Sequence, residues 1–201
     1  MEVNMTDLMV ILLMIAGYLS GSLCSAIIVC RLCGLSDPRE DGSKNPGATN
    51  VLRLHGKKYA GMVFAGDVLK GTIPVFIGHL LGFSYVCLGW VTLACVLGHM
   101  FPVFFKFKGG KGVATALGCF FGIHVVFGLI CLLTWLLVTW LKRYSSLASI
   151  VMISSAPFLA MFLLHDHDIF FPLFALTIVV LYKHKENITR LIQGEESKVK
   201  F

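Results

Sequence analysis

Residues 113–141 read VATALGCFFGIHVVFGLICLLTWLLVTWL, 29 residues without an Asp, Glu, Lys or Arg. A membrane-crossing helix needs about 20 mostly apolar residues, so this stretch is either one generous pass or two short, tilted or broken ones. Its flanks decide between them. Lys111 stands before it, and Lys142 and Arg143 follow it. Basic residues collect in cytoplasmic loops, so both ends belong on the same side. Two passes are then required, turning near Gly122–Gly128.

The same logic extends in both directions. Of 17 Lys and Arg residues, 15 fall in four clusters, over Ser36–Lys58, Phe105–Gly112, Lys142–Arg143 and Lys183–Phe201. The N-terminus (Glu2, Asp7) and the His165–Asp168 turn carry acids and no basic residue. All four clusters are therefore expected to be cytoplasmic, with the N-terminus outside and the C-terminus cytoplasmic. Leu8–Gly34 crosses inward, Tyr59–Gly82 and Phe83–Phe104 make a return trip, and Val113–Leu141 makes another. Ser145–Leu164 goes out and Ile169–Tyr182 comes back. The expectation is an all-α integral membrane protein with seven transmembrane helices, some short or broken. A five-span arrangement with re-entrant segments is the alternative if 113–141 crosses once.

Composition agrees. The chain has 201 residues, 57% hydrophobic and 14% charged, with a mean hydropathy of +0.82; soluble domains carry roughly twice that charged fraction. Little chain remains for anything else, so residues 1–201 read as one membrane-embedded domain. The first apolar run has no basic start, unlike a cleavable signal peptide. The seven cysteines are odd in number and sit mostly in apolar runs. They read as packing residues, and the lone Cys30/Cys33 pair lacks partners for a zinc site.

Polar chemistry concentrates in three loops. The first, Gly42-Ser-Lys-Asn-Pro-Gly-Ala-Thr-Asn-Val-Leu-Arg53, supplies Ser43, Thr49 and Asn50 as donors and Arg53 as a cation. Gly42 and Gly47 permit the positive φ angles that turn backbone N–H groups toward an anion. The second opens at Gly98-His99 and ends on Gly109-Gly110-Lys111-Gly112, directly before a helical run. Unpaired N–H groups and the helix dipole there favour a bound anion. The third is His184-Lys-Glu-Asn187, with Arg190 extending the same helical row. Inside the second span, Asp67 and Lys70 stand three residues apart, either pairing with one another or facing a polar site. Together these loops suggest a site for two anionic groups at the membrane surface with apolar walls.

These three blocks, with Asp67-Val-Leu-Lys-Gly71, closely resemble the motifs of the bacterial acyl-phosphate:glycerol-3-phosphate acyltransferases, the PlsY family, in order and over essentially the whole chain. Lys44 departs from the family pattern, which more often has Gly there. The resemblance implies acyl transfer from a fatty acyl phosphate to the primary hydroxyl of glycerol 3-phosphate, giving lysophosphatidic acid and inorganic phosphate. It also implies a seven-helix fold with the site facing the cytoplasm, in a bacterial inner membrane. It assigns catalytic roles to Ser43, Arg53, Lys111, His184 and Asn187. Asn45, Gly47, Thr49, Asn50, His99, Gly109, Gly110 and Gly112 would bind substrate phosphate, and Asp67 and Lys70 would support them. No cofactor, metal or nucleic acid is expected. The partners are the two substrates, the bilayer and, functionally, an enzyme that makes acyl phosphate; the chain is expected to be a monomer. The proton-accepting base is left between His184 and a substrate phosphate oxygen, and an acylated Ser43 is a further alternative. Two rival functions remain. An acyltransferase of the His-x4-Asp type is disfavoured because no histidine has Asp five residues later. A transporter of anionic organophosphates would want charges near the midplane and an internal repeat.

Overall fold

The computed structural model describes residues 5–199, so Glu2 and Lys200, used in the charge reading, lie outside it. The described chain is all-helical. It runs α1 (Met5–Gly21), α2 (Ser25–Leu32), α3 (Ala48–His55), α4 (Lys57–Leu80), α5 (Tyr85–Met100), α6 (Val113–Ile123), α7 (Val125–Lys142), α8 (Ser145–Leu164), α9 (Phe170–Lys183) and α10 (Lys185–Gln193). Helices are what long Leu-, Val- and Phe-rich runs must form in lipid, because only they satisfy every backbone polar group within the segment.

Among the described residues four helices are long and apolar enough to cross a bilayer: α4, α5 with the short turn after it, α7 and α8. A fifth is counted when α1 and α2, bent by 41°, are taken as one broken span. α6 and α9 are apolar but only 11 and 14 residues long. The stretch 113–141 does break, at His124, whose extended backbone (φ −160°) ends α6 and starts α7. That position lies inside the expected Gly122–Gly128 turn. The first span, expected to be continuous over Leu8–Gly34, is interrupted at Ser22–Cys24. There the Ser22 hydroxyl donates back to Tyr18 O at 2.8 Å and accepts the Val103 N–H at 3.4 Å. A serine that offers the backbone an alternative partner bends a helix in this way.

The main apolar core is built around Phe120, Phe127, Met152 and Leu173, and a smaller one, around Ile27, Cys30, Val51 and Val63, fastens α2 and α3 onto α4. All seven cysteines are free thiols, five of them buried. Large apolar side chains such as Leu12, Leu69, Leu133 and Phe162 face outward, where a bilayer would cover them. Because lipid offers helices no hydrophobic drive to associate, close backbone approach at small residues supplies much of the packing. α6 packs most extensively on α4, and its Gly118 lies so close that a Cβ there would stand 2.0 Å from Val68 O.

That contact is with rigid backbone, so Gly118→Ala is expected to lower the melting temperature in detergent by several degrees. Gly61→Ala, whose Cβ would meet nothing within 4 Å, should leave melting unchanged or raise it slightly. Equal melting of the two variants would refute the tight α4–α6 seam.

Candidate active site

The loop between α2 and α3 is held chiefly by one side chain. Asn50 is 1% exposed. Its Oδ1 accepts the Ser43 N–H at 2.9 Å, and its Nδ2 donates to Pro38 O at 2.8 Å and Asp41 O at 3.1 Å. Both ends of the amide are spent on the loop, so Asn50 is a clamp and not the phosphate donor expected from sequence. Gly42 does take a positive φ of 64°, but Gly47 is extended at φ −130° and precedes α3, against expectation. Arg39 adds a second brace, since its hydrogen bonds hold the Asp37 carboxyl below the usual carboxylate range. The clamp leaves Ser43, Thr49 and Arg53 exposed along one wall of a cavity. Among the described residues their side chains make no hydrogen bond or ion pair.

The glycine loop rests on His99. Gly110 N donates to His99 O at 3.1 Å, and a Cβ on Gly110 would stand 2.2 Å from His99 Nε2. No other residue fits there without displacing the ring. Gly112, at φ 83°, turns the chain into α6 immediately after Lys111. His99 Nδ1 lies 3.2 Å from Thr115 Oγ1 and 3.5 Å from Asp67 Oδ1. Asp67 in turn pairs with Lys70 at 2.8 Å, and Lys70 Nζ donates to Leu23 O at 2.7 Å, in the break between α1 and α2. Asp67 and Lys70 therefore pair with one another, and Asp67 also borders the cavity. Lys70 alone of the expected site residues does not line it.

The third wall comes from the α9–α10 junction. His184 ends α9 and begins α10, with a nearly buried ring. Its Nδ1 lies 2.8 Å from Val180 O; a carbonyl only accepts, so Nδ1 carries the proton and Nε2 keeps its lone pair. Burial pushes its pKa down to about 4, helped by the Lys111 ammonium, so the imidazole is neutral at pH 7. Lys111 Nζ donates to Asn187 Oδ1, and Asn187 Nδ2 donates to Glu196 Oε1 at 2.7 Å. Burial, then the neighbouring Arg190, lowers the Lys111 pKa, a tension that a bound anion would relieve.

Glu196 was not singled out from the sequence. Its Oε1 also accepts from Ser146 Oγ at 2.6 Å, and its Oε2 from Arg190 Nε at 2.7 Å. Burial alone would raise its pKa, but the hydrogen bonds from Ser146, Asn187 and Arg190 prevail and lower it. The available signal was an acid among basic residues, six positions after Arg190. For Ser146, in the first turn of α8, there was none.

These walls enclose one cavity of about 1400 Å³. Ser43, Asn45, Gly47, Thr49, Asn50, Arg53, Asp67, His99, Gly109, Gly110, Lys111, Gly112, His184 and Asn187 all border it. Away from the polar groups it runs between apolar side chains that include Phe64, Leu117, Leu132 and Met152. Such a space suits a molecule with an anionic head and a long apolar tail.

A family model described as glycerol-3-phosphate acyltransferase matches residues 11–194. The glycerol-3-phosphate acyltransferase of Legionella pneumophila (strain Corby) is 57% identical over 191 residues, covering 95% of this chain and 69% of that protein. That of Colwellia psychrerythraea is 49% identical over 192 residues, covering 96% and 97%. The crystal structure of PlsY, an integral membrane glycerol 3-phosphate acyltransferase, in its glycerol 3-phosphate form superposes with a TM-score of 0.89 at 42% identity, covering 96% of both chains. Its lysophosphatidic acid form gives 0.87.

The buried pair beneath the glycine loop gives a stability test. Lys70→Met leaves the Asp67 carboxylate buried without its partner and is expected to cost about 3–5 kcal/mol. Asp67→Leu with Lys70→Met removes both charges and should recover most of that loss in thermal melting. A double variant as unstable as the single one would show that the two charges are not coupled.

Proposed function

The chain belongs to the PlsY family of glycerol-3-phosphate acyltransferases, and on that footing we propose that its acyl donor is an acyl phosphate. It is an integral, multi-pass membrane enzyme that forms lysophosphatidic acid. In the proposed reaction the sn-1 hydroxyl oxygen of glycerol 3-phosphate attacks the acyl carbonyl carbon. The bond from that carbon to the phosphate oxygen breaks, and inorganic phosphate leaves.

The observation that carries this reading is that one cavity offers two groups of anion partners beside one apolar wall. Ser43, Thr49 and Arg53 stand on the loop side, and Lys111 with the glycine loop, His184 and Asn187 on the other. Both reactants carry phosphate, and only the donor needs the apolar wall. A mixed anhydride expels phosphate without a strong acid, so positioning and charge neutralisation supply most of the acceleration. Asn45 and the Gly47 backbone border the loop-side pocket. Asn50 acts one step back, by holding Ser43.

The departing hydroxyl proton needs an acceptor. His184, with a pKa of about 4, is a weaker base than a phosphate monoester dianion, whose pKa is about 6. We therefore assign the proton to a substrate phosphate oxygen and give His184 Nε2, left as an acceptor, the task of orienting glycerol 3-phosphate by accepting a hydrogen bond from its neighbouring sn-2 hydroxyl.

The gathering of Arg53, Lys111, His184 and Arg190 around one cavity supports a cytoplasmic site, in keeping with the placement of basic clusters. With α1–α2 as one pass and α6 and α9 as short ones, the chain makes seven crossings as a single domain. Its N-terminus is then outside and its C-terminus in the cytoplasm of a bacterial inner membrane. It works as a monomer, supplied by the enzyme that makes acyl phosphate.

Purified protein in lipid should release inorganic phosphate from acyl phosphate only when glycerol 3-phosphate is present, and Lys111→Ala should abolish that release. Release driven by an acyl thioester donor instead would overturn the donor assignment.

The pH–rate profile should fall as pH drops through about 6, where the substrate dianion takes a proton. His184→Gln, which keeps an acceptor, should stay within about tenfold of the parent, whereas His184→Ala should lose about a hundredfold. A rate that stays level to pH 5 and falls only through about 4 would make His184 the base.

A further inference from the structure

A second cavity, of about 350 Å³, opens beside the first and shares Lys44, Gly109 and Lys183 with it. Arg39, Phe107 and Lys108 complete most of its lining. Four of its lining residues are cations and none is acidic. Two of the four are accounted for. Arg39 is neutralised by Asp37 at 2.7 Å, and Lys183 lies 4.2 Å over the Phe101 ring with Nζ 3.4 Å from Met100 O. Lys44 and Lys108 are exposed, and among the described residues neither side chain has a hydrogen-bond or ion-pair partner. They face the cavity from opposite loops.

The backbone is strained to present them. Lys44 sits at φ 55°, and the residues before Lys108, Lys106 and Phe107, sit at φ 55° and 58°. Each left-handed residue with a side chain costs about 1–2 kcal/mol, which glycine would avoid. At Lys44 that cost is borne for a side chain that makes no hydrogen bond or ion pair among the described residues. The volume, about 350 Å³, holds about twelve waters at roughly 30 Å³ each, room for a hydrated phosphate, and the cationic lining suits an anion and not an acyl chain.

From this charge, volume and adjacency we infer that the second cavity is an outer anion site that takes a phosphate-monoester dianion at the rim of the catalytic cavity. It concentrates the dianion where Lys44 and Gly109 open inward, in the way a cation-lined cleft raises the on-rate of a charged ligand. The same phosphate chemistry is offered by soluble glycerol 3-phosphate and by an anionic lipid headgroup. The inference rests on the acyltransferase reading, which turnover at saturating substrate reports separately.

The test compares the parent with Lys44→Gly/Lys108→Gln in nanodiscs of neutral lipid and of neutral lipid plus phosphatidylglycerol. Glycine at 44 releases the strained φ, so melting should be unimpaired; Lys108→Gln alone, at an exposed side chain, serves as the second variant. For a soluble dianion, KM for glycerol 3-phosphate in neutral lipid rises about five- to tenfold. The fall of kcat/KM with ionic strength flattens, and kcat is unchanged. For a headgroup, neutral-lipid kinetics are unaltered, and added phosphatidylglycerol shifts KM in the parent but not in the variant. Lys57→Gln/Lys58→Gln removes the same charge elsewhere. If it reproduces the shift, or if the variant matches the parent in both bilayers at every ionic strength, the outer site is refuted.

Discussion

A carboxylate and an ammonium buried in the middle of an apolar helix hold this protein's polar machinery in place. Asp67 and Lys70 lie on adjacent turns of α4, 2.8 Å apart and almost fully buried. Charges in such a place are expensive unless each is paired, and here each also has work beyond the pair. Lys70 reaches Leu23 O, a carbonyl released by the break between α1 and α2. Asp67 lies beside His99, and His99 carries the glycine loop. The broken first span and the loop that presents Lys111 are thus two ends of one polar chain running through α4.

The glycine loop is positioned from below by His99 and from the side by α6. The loop before α3 is positioned by Asn50, with the Arg39–Asp37 pair as a second brace, and His184 by the end of α9. Three supports converge on one cavity, and although Asn50 and His99 border it and are committed to their loops, other bordering groups are left free. The side chains of Ser43, Thr49 and Arg53 make no hydrogen bond or ion pair among the described residues. A wall of this kind, with a cation that no described acidic side chain neutralises, is poised to bind anions.

Sequence reasoning reached the large features because they follow from crude physics. Hydrophobic length, the siting of basic residues and the need to return to one face predicted a break in residues 113–141, and His124 supplies it. The break at Ser22–Cys24 was not legible, because Gly21 and Ser22 alone do not mark a bend. It also depends on Lys70, nearly fifty residues away. In the site, residue type was a good guide to location and a poorer guide to task. Asn50 and Ser43 share a motif, yet one is buried holding the other. Gly47 looked like a positive-φ turn and is an extended lead into α3. Glu196 went unnoticed because a search for phosphate partners looks for cations and N–H donors. Its role is to orient those donors, and that shows only once α8 and α10 are brought together.

The row from Lys111 through Asn187 to Glu196 has a directional character that comes from its middle member. Asn187 accepts from an ammonium on one side and donates to a carboxylate on the other. A neutral amide can do both at once, whereas an aspartate has no donor and a lysine no acceptor. The amide dipole therefore has one sense, fixed by its two neighbours, and successive bonds in such a row polarise one another. Electron density shifts along it while no net charge moves. Glu196 steadies the lysine across this bridge without a direct ion pair, so the cation is only partly offset and still attracts an anion.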